Sequence, residues 1–196
     1  MDSIELDLPD LLLLRPKRHI DARGWLSETW SQRDLAALQT DFVQDNHTLS
    51  RPGVLRGLHF QVPAQAKLLR VIRGRVFDVV LDLRPASPTF GHWRAFWLTA
   101  ERGLQVFVPR GFAHGFCVSA SDGPAEVLYR LDAPWQPEGG RTVAWNDPDI
   151  GIPWPVDQPV LSDADQHAPH LRAVAVAEGW SMPSCTGRVL STDFGT

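Results

Sequence analysis

The sequence predicts an all-β fold, a sandwich or barrel of short strands with a few short helices. Three features predict it: many short apolar or alternating runs follow one another, turns containing Gly or Pro separate them, and helix signals are sparse. Hydrophobic residues make up 43% of the chain and charged residues 21%, as in an ordinary globular protein. With 196 residues, the chain is long enough to fold as one domain without a disulfide or a structural metal.

The predicted elements begin with one helix over Ser31–Gln39, with Ser31 as its N-cap and Leu35 and Leu38 on one face. A strand over Val54–Gln61 follows it. Three further pairs of strands are predicted to form hairpins because short turns join them: Lys67–Ile72 with Arg75–Leu83, Trp93–Thr99 with Leu104–Val108, and Gly115–Val118 with Glu126–Leu131.

Two segments toward the C-terminus lack a clear strand pattern. Residues 133–159 hold six prolines and are predicted to form an ordered loop that carries Trp135, Trp145 and Trp154. Residues 171–196 are weakly patterned, and we expect them to form a peripheral or partly mobile tail. The sequence therefore predicts one domain over residues 1–170, followed by this tail.

The charge and the apolar runs limit the partners of the protein. A net charge of -4 opposes an extended grip on a nucleic-acid backbone, although a local Arg cluster can still bind a small phosphate. The longest aliphatic runs, Leu11–Leu14 and Ala173–Ala177, are far too short to span a bilayer. Met1–Asp10 holds four acids and no base, unlike a signal peptide. Because Cys117 and Cys185 form no motif, we expect a reducing compartment and therefore a cytoplasmic protein. The net charge and the short apolar runs predict no nucleic-acid and no membrane partner.

One segment carries a characteristic spacing of Gly, Pro and His. From Gly103 to His114 the order is glycine, five residues, proline, one residue, glycine, two residues and histidine. This spacing resembles the second motif of the cupin superfamily, whose fold is a double-stranded β-helix, or jelly roll. The first cupin motif is present upstream in altered form, as Gly53, His59, Gln61, Lys67 and Gly74.

The substitutions in this first motif bear on metal binding. In metal-binding cupins the matching positions hold two histidines and a glutamate, and a last histidine corresponds to His114. Here Gln61 is a neutral amide and Lys67 is an ammonium, which repels a cation and offers no lone pair when it is charged. We therefore predict no metal and no other cofactor, and an interior used for acid–base chemistry. Lys67 and Tyr129 are also scarce residue types, because Lys17 is the one other lysine and Tyr129 is the single tyrosine.

Seven motifs that follow one another in order show a closer resemblance. They are Asp21–Gly24, Phe42–His47, Val54–Gln61, Lys67–Arg70, Ser87–Gly91, Pro109–Phe116 and Trp145–Pro148. Together they resemble the dTDP-4-dehydrorhamnose 3,5-epimerase family over roughly residues 5 to 170, and so many co-linear motifs argue against a chance match. The resemblance implies a metal-free cupin domain that forms a homodimer by exchanging N-terminal strands. It also implies the substrate, a dTDP-linked 4-keto-6-deoxyhexose of deoxysugar biosynthesis.

The chemistry of such a substrate follows from its ketone. A ketone at carbon 4 acidifies the hydrogens on carbons 3 and 5, so epimerisation needs a base on one face, a stabiliser of the enolate oxygen and an acid on the opposite face. By resemblance, His59 is the base and Asp165 orients it. Lys67 then supports the enolate, and Tyr129 is the acid that returns the proton. The segment Ser162–Asp165 is also typical of a capping box that opens a short helix, which is the structural alternative for Asp165.

The resemblance also implies a set of substrate-binding residues. Arg23 and Arg56 suit the pyrophosphate, because a planar guanidinium matches paired oxygens. The other candidates are Glu28, Gln44, Asn46, Gln61 and His114, with Trp135 near the thymine. The structural alternatives are a surface ion pair for each arginine, core packing for the tryptophan and a purely structural role for His114.

Two positions depart from the family pattern. Ala164 stands where the family has a lysine beside Asp165, which weakens one expected phosphate contact. Pro134 stands where a second aromatic residue is expected before Trp135. This second departure bears on how the sugar is held, and therefore on whether one or both carbons are inverted.

The predicted function is thus 3,5-epimerisation, of the type that converts dTDP-4-dehydro-6-deoxyglucose to dTDP-4-dehydrorhamnose. The nearest alternative is a related enzyme that inverts only carbon 3 or only carbon 5. A 4-keto to 3-keto sugar isomerase is disfavoured, because those cupins lack the arrangement seen at Leu58–Gln61. Two alternatives belong to other classes. One is a non-catalytic nucleotide-sugar binding protein, which a turnover assay distinguishes. The other is a metal-dependent cupin oxygenase, which the metal content of the purified protein distinguishes.

Overall fold

The structure, a computed structural model, describes residues 1–33, 38 and 40–192. Within them the chain forms fourteen β-strands, which are β1 (Asp2–Glu5), β2 (Leu12–Arg15), β3 (Arg18–Asp21), β4 (Gly24–Ser27), β5 (Gln44–Ser50), β6 (Leu55–Gln61), β7 (Lys67–Arg73), β8 (Arg75–Asp82), β9 (His92–Thr99), β10 (Gln105–Val108), β11 (Phe112–Cys117), β12 (Ala125–Leu131), β13 (Gly140–Thr142) and β14 (Thr186–Val189). The α-helices of this described part are α1 (Asp163–Gln166) and α2 (Leu171–Glu178), and neither is long and apolar enough to cross a membrane. The helix predicted over Ser31–Gln39 includes residues 34–37 and 39, which lie outside the described residues, so it stays a prediction.

Two six-stranded sheets form the body of the molecule, and β3 and β4 form a separate two-stranded hairpin. The strand order is β1-β2-β10-β7-β12-β5 in the first sheet and β13-β6-β11-β8-β9-β14 in the second. From β5 to β8 and again from β9 to β12, each strand lies in the opposite sheet from the one before it, which is the winding of a jelly roll. The predicted all-β fold is confirmed.

The seven strands predicted from the sequence are present as β6–β12, whereas β1–β5, β13 in the predicted loop and β14 in the predicted tail were not predicted. The pairing of the strands also differs from the prediction. The three predicted hairpins, β7 with β8, β9 with β10 and β11 with β12, are wrong, because the two strands of each pair lie in different sheets. A short turn specifies that the chain changes direction, but not which sheet receives the next strand. At the corner between β7 and β8, Gly74 has φ +72°, and a Cβ there would lie 2.7 Å from the carbonyl oxygen of Pro124. Glycine therefore permits a tightly packed corner that carries the chain into the other sheet.

Both faces of the second sheet are buried, which explains the apolar run of β8. Val76 and Val80 belong to the core between the two sheets. Phe77, Val79 and Leu81, which point the opposite way, belong to a second core on the outer side of this sheet. A strand covered on both faces does not alternate between apolar and polar residues.

The chain beyond β13 covers this outer face. Trp145 and Trp154 pack there, and the indole N–H of Trp154 donates to the carbonyl oxygen of Trp145 at 2.7 Å. Leu171 and Val174 of α2 are buried in the same core, and β14 pairs in parallel with β9 at the edge of the sheet. The division into a domain over 1–170 and a tail over 171–196 stays a prediction.

Candidate active site

A pocket with two parts lies between the two sheets. The inner cavity, of about 130 Å³, is lined by Arg56, His59, Lys67, His114 and Tyr129, among others. The outer cavity, of about 780 Å³, also contains His59, Lys67 and Tyr129 in its lining. An outer volume of this order is usual for a small-molecule site.

The two sheets contribute different side chains to this pocket. Lys67 and Tyr129 are on β7 and β12 of the first sheet, whereas His59 and His114 are on β6 and β11 of the second. Residues that are far apart in sequence therefore meet because alternate positions on each strand point into the same interior. The pocket has ionisable groups on both of its walls.

The close approach of β6 and β11 depends on glycine. Gly57, two residues before His59, has φ +122°, and a Cβ at this position would lie 2.6 Å from Cα of Gly115. No side chain fits at that distance, and the backbone conformation is itself one that only glycine adopts readily. The motif Arg56–His59 thus needs Gly57 for a steric reason, because this residue sets the position of His59 in the pocket.

His59 is held by a buried carboxylate. Its Nε2 lies 2.6 Å from Oδ1 of Asp165, and only 3% of the Asp165 side chain is exposed. Ser162 is the N-cap of α1: its hydroxyl accepts from the backbone N–H of Asp165 and donates to Oδ2 at 2.9 Å. The predicted N-cap is present, although Asp165 bonds to the hydroxyl of Ser162 and not to its backbone N–H as in a full capping box. This contact holds the carboxylate that contacts His59. The structural and functional interpretations of Asp165 are therefore compatible.

The arrangement of His59 selects one tautomer of the ring. With its N–H on Nε2 donated to Asp165, His59 carries a lone pair on Nδ1, which has no hydrogen-bond partner among the described residues. A neutral imidazole in this state is a general base. The carboxylate would also stabilise the imidazolium that forms when the ring accepts a proton.

Lys67 lies beside His59 and has an altered pKa. Its Nζ donates to the backbone carbonyl oxygen of His59 at 3.2 Å. Burial of the ammonium lowers the pKa of Lys67 to about 8, and the negative charge of Asp78 opposes this effect. The group is therefore still mostly charged at neutral pH, in a place where a positive charge stabilises a developing oxyanion.

His114 makes a second imidazole–carboxylate contact in the wall of the inner cavity. Its Nε2 lies 2.9 Å from Oδ2 of Asp78, and both side chains are buried. Arg56 also lines this cavity, and its Nε donates to the hydroxyl of Ser50 at 3.0 Å. Of the predicted site residues, five thus surround the inner cavity.

Other predicted residues line the outer cavity. The side-chain amide of Gln44 donates to Oδ1 of Asn46 at 3.0 Å and accepts from the backbone N–H of Trp135 at 2.9 Å. Trp135 itself is 60% exposed, so it is free to contact a ligand and does not pack in a core. Gln61 accepts from the backbone N–H of Gln136 at 2.9 Å and so ties the Trp135 loop to β6.

Two predicted residues lie outside this pocket in the single chain. Arg23 is in the exposed β3–β4 hairpin, where its guanidinium pairs with Asp21 at 2.6 Å. Glu28 lines a different cavity, which it shares with Lys17 and Arg33. The fold of one chain therefore does not bring Arg23 and Glu28 together with His59.

The side chains of the pocket bear on metal binding. Among the described residues, no group of three or more His, Cys, Asp or Glu side chains is placed to hold a metal ion. The ammonium of Lys67 lines the inner cavity together with His59 and His114, and the amide of Gln61 lies in the outer cavity; neither group suits a divalent cation. The prediction of a metal-free site remains a prediction.

Sequence reasoning missed several residues in or beside the pocket, among them Asp78, Thr48 and Arg141. Asp78 contacts His114, Thr48 lines both cavities, and Arg141 lines the outer one. Thr48 could have been found from the sequence, because it is two residues beyond Asn46 on the same strand and so points to the same side. Asp78 could not be placed in the pocket in this way, because the two residues on each side of it on β8 are apolar and both faces of that strand are buried.

Fold and pocket together define a class of protein: a jelly-roll β-sandwich whose interior carries paired acid and base groups. Comparison with known proteins gives the particular family. Residues 5–173 match the family described as dTDP-4-dehydrorhamnose 3,5-epimerase. A similar protein of that name from Shigella flexneri is 44% identical over 170 residues, which cover 84% of this chain and 93% of the other. This chain belongs to the dTDP-4-dehydrorhamnose 3,5-epimerase family.

Solved structures agree with this assignment. A dTDP-6-deoxy-D-glucose-3,5-epimerase from Legionella pneumophila in complex with dTDP-4-keto-L-rhamnose has a TM-score of 0.84 and 37% identity, and the match covers 90% of this chain and 95% of the other. A 3'-monoepimerase from Streptomyces bikiniensis in complex with dTDP-quinovose has a TM-score of 0.79 and 34% identity, with 89% of each chain covered. The cupin fold predicted from the motifs is confirmed.

Proposed function

We propose that this protein epimerises a dTDP-linked 4-keto-6-deoxyhexose at carbons 3 and 5. One observation carries the proposal: the His59–Asp165 pair, Lys67 and Tyr129 converge on one pocket. These are the base, the oxyanion stabiliser and the acid that proton transfer beside a ketone requires. Membership of the family supports the same reaction and the same class of substrate.

The proposed mechanism begins at His59. Its free ring nitrogen takes the hydrogen from the carbon next to the ketone, and Asp165 stabilises the resulting imidazolium. The electron pair of the broken C–H bond moves onto the carbon 4 oxygen, and the ammonium of Lys67 stabilises this enolate. A preorganised donor of this kind contributes about 3 kcal/mol to the transition state. Tyr129 then donates its proton to the carbon.

Inversion requires that the proton returns from the other side. His59 is on the second sheet and Tyr129 on the first, and both line the inner cavity. A sugar held between the two sheets would therefore have the base on one face and the acid on the other. This placement supports a change of configuration, which return of the proton from the same side would not produce.

The substrate-binding residues are part of the same proposal. Arg56 at the inner cavity provides a cation for the diphosphate, while Gln44, Asn46 and Trp135 at the outer cavity suit the nucleotide. His114 and Gln61 complete the wall around the sugar, and no step of the mechanism needs a cofactor.

A single-position epimerase is the second candidate. The similarity to a 3'-monoepimerase favours it, and so does Pro134 at the place of an expected aromatic residue. Proton NMR of the product formed in deuterated water distinguishes the two, because it counts the carbons that exchange. The incubation uses dTDP-4-keto-6-deoxyglucose. Deuterium at carbons 3 and 5 supports the main proposal, deuterium at one carbon supports the alternative, and binding without exchange would show a protein that only binds the nucleotide sugar.

We further propose that the active form is a homodimer joined through the N-terminal strands. The β3–β4 hairpin exposes Ile20, Trp25 and Leu26 by 78%, 60% and 69%, which is unusual for large apolar side chains. Arg23 lies in the same hairpin and Glu28 directly follows it, and neither is in the pocket of its own chain. A second copy packed against this hairpin would bury the apolar side chains, and its pocket would take in Arg23 and Glu28.

Light scattering after size-exclusion chromatography tests the dimer. We expect twice the monomer mass for the natural protein and the monomer mass for a variant with both Trp25→Ser and Leu26→Ser. An Arg23→Ala variant is the matched control, since it should remain a dimer but bind substrate more weakly. A monomeric natural protein would contradict the proposal.

The predicted cytoplasmic location also belongs to this proposal. Cys117 and Cys185 are both free thiols. Burial raises the pKa of Cys117 to about 12 and that of Cys185 to about 11, so neither forms a reactive thiolate at neutral pH. Unpaired, inert cysteines are typical of proteins from a reducing compartment.

A further inference from the structure

Asp78 is a buried carboxylate that the mechanism above does not use. It is fully buried on β8, on the side that faces the core between the two sheets, with Val76 and Val80 as its neighbours on that face. Its Oδ2 accepts from Nε2 of His114 at 2.9 Å. Its Oδ1 is buried and has no hydrogen-bond partner among the described residues. An ionised carboxylate that is only half satisfied is costly to bury unless an opposite charge is near.

Lys67 is the complementary group on the opposite wall. It is on β7, where it points to the same interior as Leu69 and Val71. An ammonium has three N–H groups. Among the described residues, Lys67 donates one of them, to the carbonyl oxygen of His59. Lys67 and His114 line the same inner cavity, so the partner of Asp78 and the ammonium are neighbours.

We propose that Asp78, held in place by His114, is a positioning residue that supplies the counter-charge of Lys67 and so keeps its ammonium protonated inside the pocket. That this protonation serves the stabilisation of an enolate rests on the proposed function. The electrostatic pairing itself does not depend on it.

The surroundings of Lys67 assign this task to Asp78. The ionisable groups that share a cavity with Lys67 are Arg56, His59, His114 and Tyr129 in the inner cavity and Asp45, His47 and Arg141 in the outer one. Two buried carboxylates contact the histidines of this wall, Asp78 at His114 and Asp165 at His59. Asp45 is half exposed and pairs with Arg130, and both oxygens of Asp165 have hydrogen-bond partners, whereas Oδ1 of Asp78 is buried with no partner among the described residues. The neighbours of Lys67 within its own sheet, Val108 and Leu131, carry no charge. Burial lowers the pKa of Lys67 to about 8, and Asp78 is the charge that raises it.

The chain offers a direct measurement, because it contains two lysines. Protein labelled with ¹³C at lysine Cε therefore gives two side-chain signals, and a Lys17→Arg variant assigns them. Lys17 is exposed and serves as an internal reference. We expect Lys67 to titrate near pH 8 in the natural protein and at a clearly lower pH in Asp78→Asn. Each unit of this shift lowers the ratio of charged to neutral Lys67 tenfold at a given pH.

Asp82→Asn is the matched control. Asp82 is a buried carboxylate on the same face of the same strand, but it contacts Arg84, Ser87 and Thr89. This variant should leave the titration of Lys67 unchanged. An unchanged titration of Lys67 in Asp78→Asn would overturn the proposal.

A second measurement covers the case in which Asp78→Asn does not fold. Removing one member of a buried charge pair leaves the other uncompensated, whereas removing both does not. If Asp78→Asn does not fold, urea unfolding should show a cooperative transition for the double variant Asp78→Asn/Lys67→Met. If Asp78→Asn does fold, the double variant should be more stable than the sum of the two single changes allows. Additive effects, or a double variant that fails to fold although Lys67→Met folds, would refute the pairing.

Turnover separates this inference from the proposed function. If the enzyme is an epimerase, the fall of kcat/KM at high pH should move to lower pH in Asp78→Asn by the same shift as the NMR titration. If the NMR titration shifts but the natural protein turns over no keto-sugar, the pairing stands and the proposed function fails.

Discussion

The hydrogen bond between Asp165 and His59 offers the most direct test of the proposed mechanism. Asp165→Asn keeps the size of the side chain but removes a buried charge 2.6 Å from Nε2 of His59. An amide does not stabilise an imidazolium as a carboxylate does. It can also present its NH₂ group to the ring, which selects the tautomer with its lone pair on the wrong nitrogen.

The expected loss follows from the two functions of this carboxylate. A hydrogen bond to a charged group contributes about 1.5–3 kcal/mol. The attraction between imidazolium and carboxylate is about 4 kcal/mol for charges about 4 Å apart at an effective dielectric constant of about 20. Because the two descriptions overlap, they are not summed, and we expect a loss of about 3–4 kcal/mol, which lowers kcat by a factor of about 10²–10³.

The assay measures kcat and the rate of deuterium uptake in the same NMR experiment. Ser162→Ala is the matched control. Ser162 caps α1 and contacts Asp165, and its substitution keeps the carboxylate that contacts His59. It should cost about 1 kcal/mol of stability and change kcat much less. A rate for Asp165→Asn within about a factor of ten of the natural enzyme, or about 1.4 kcal/mol, would refute this reasoning.

Three further outcomes are expected. Tyr129→Phe should abolish inversion while hydrogen exchange next to the ketone continues, as NMR in deuterated water shows; loss of both would place Tyr129 elsewhere in the mechanism. Activity should decline above pH 8 as Lys67 loses its proton. Because the pKa of Lys67 is about 8 in the folded protein and 10.5 in the unfolded chain, its contribution to the free energy of unfolding should rise with pH between these two values. Lys67→Met should flatten that rise, and a persistent slope would assign it to another group. Gly57→Ala should cost several kcal/mol of stability in thermal unfolding, since its Cβ would lie 2.6 Å from Cα of Gly115; an unchanged Tm would show that β6 and β11 can separate.

The site was more predictable than the strand pairing. The motif around His59 and Lys67 specifies residue types at fixed spacing, and the strands carry these side chains inward by their period of two. The capping signal at Ser162 placed Asp165 at the start of a helix, and the structure has the N-cap and the helix. The hairpins were wrong because a two-residue turn such as the one at Gly74 is equally compatible with a reversal in one sheet and a corner between two.

Local signals determined where strands β6–β12 lie, since periodicity and turn residues are properties of neighbouring positions, but β1–β5, β13 and β14 were not predicted. The spacing of the motifs indicated which side chains could perform proton transfer. The tertiary structure decided which of them meet. It paired β8 with β9 and β11, placed Asp78 beside His114, and left Arg23 outside the pocket of its own chain. The physical reason is that burial on both faces of the second sheet, and the choice of sheet at each corner, depend on apolar surfaces far apart in the sequence.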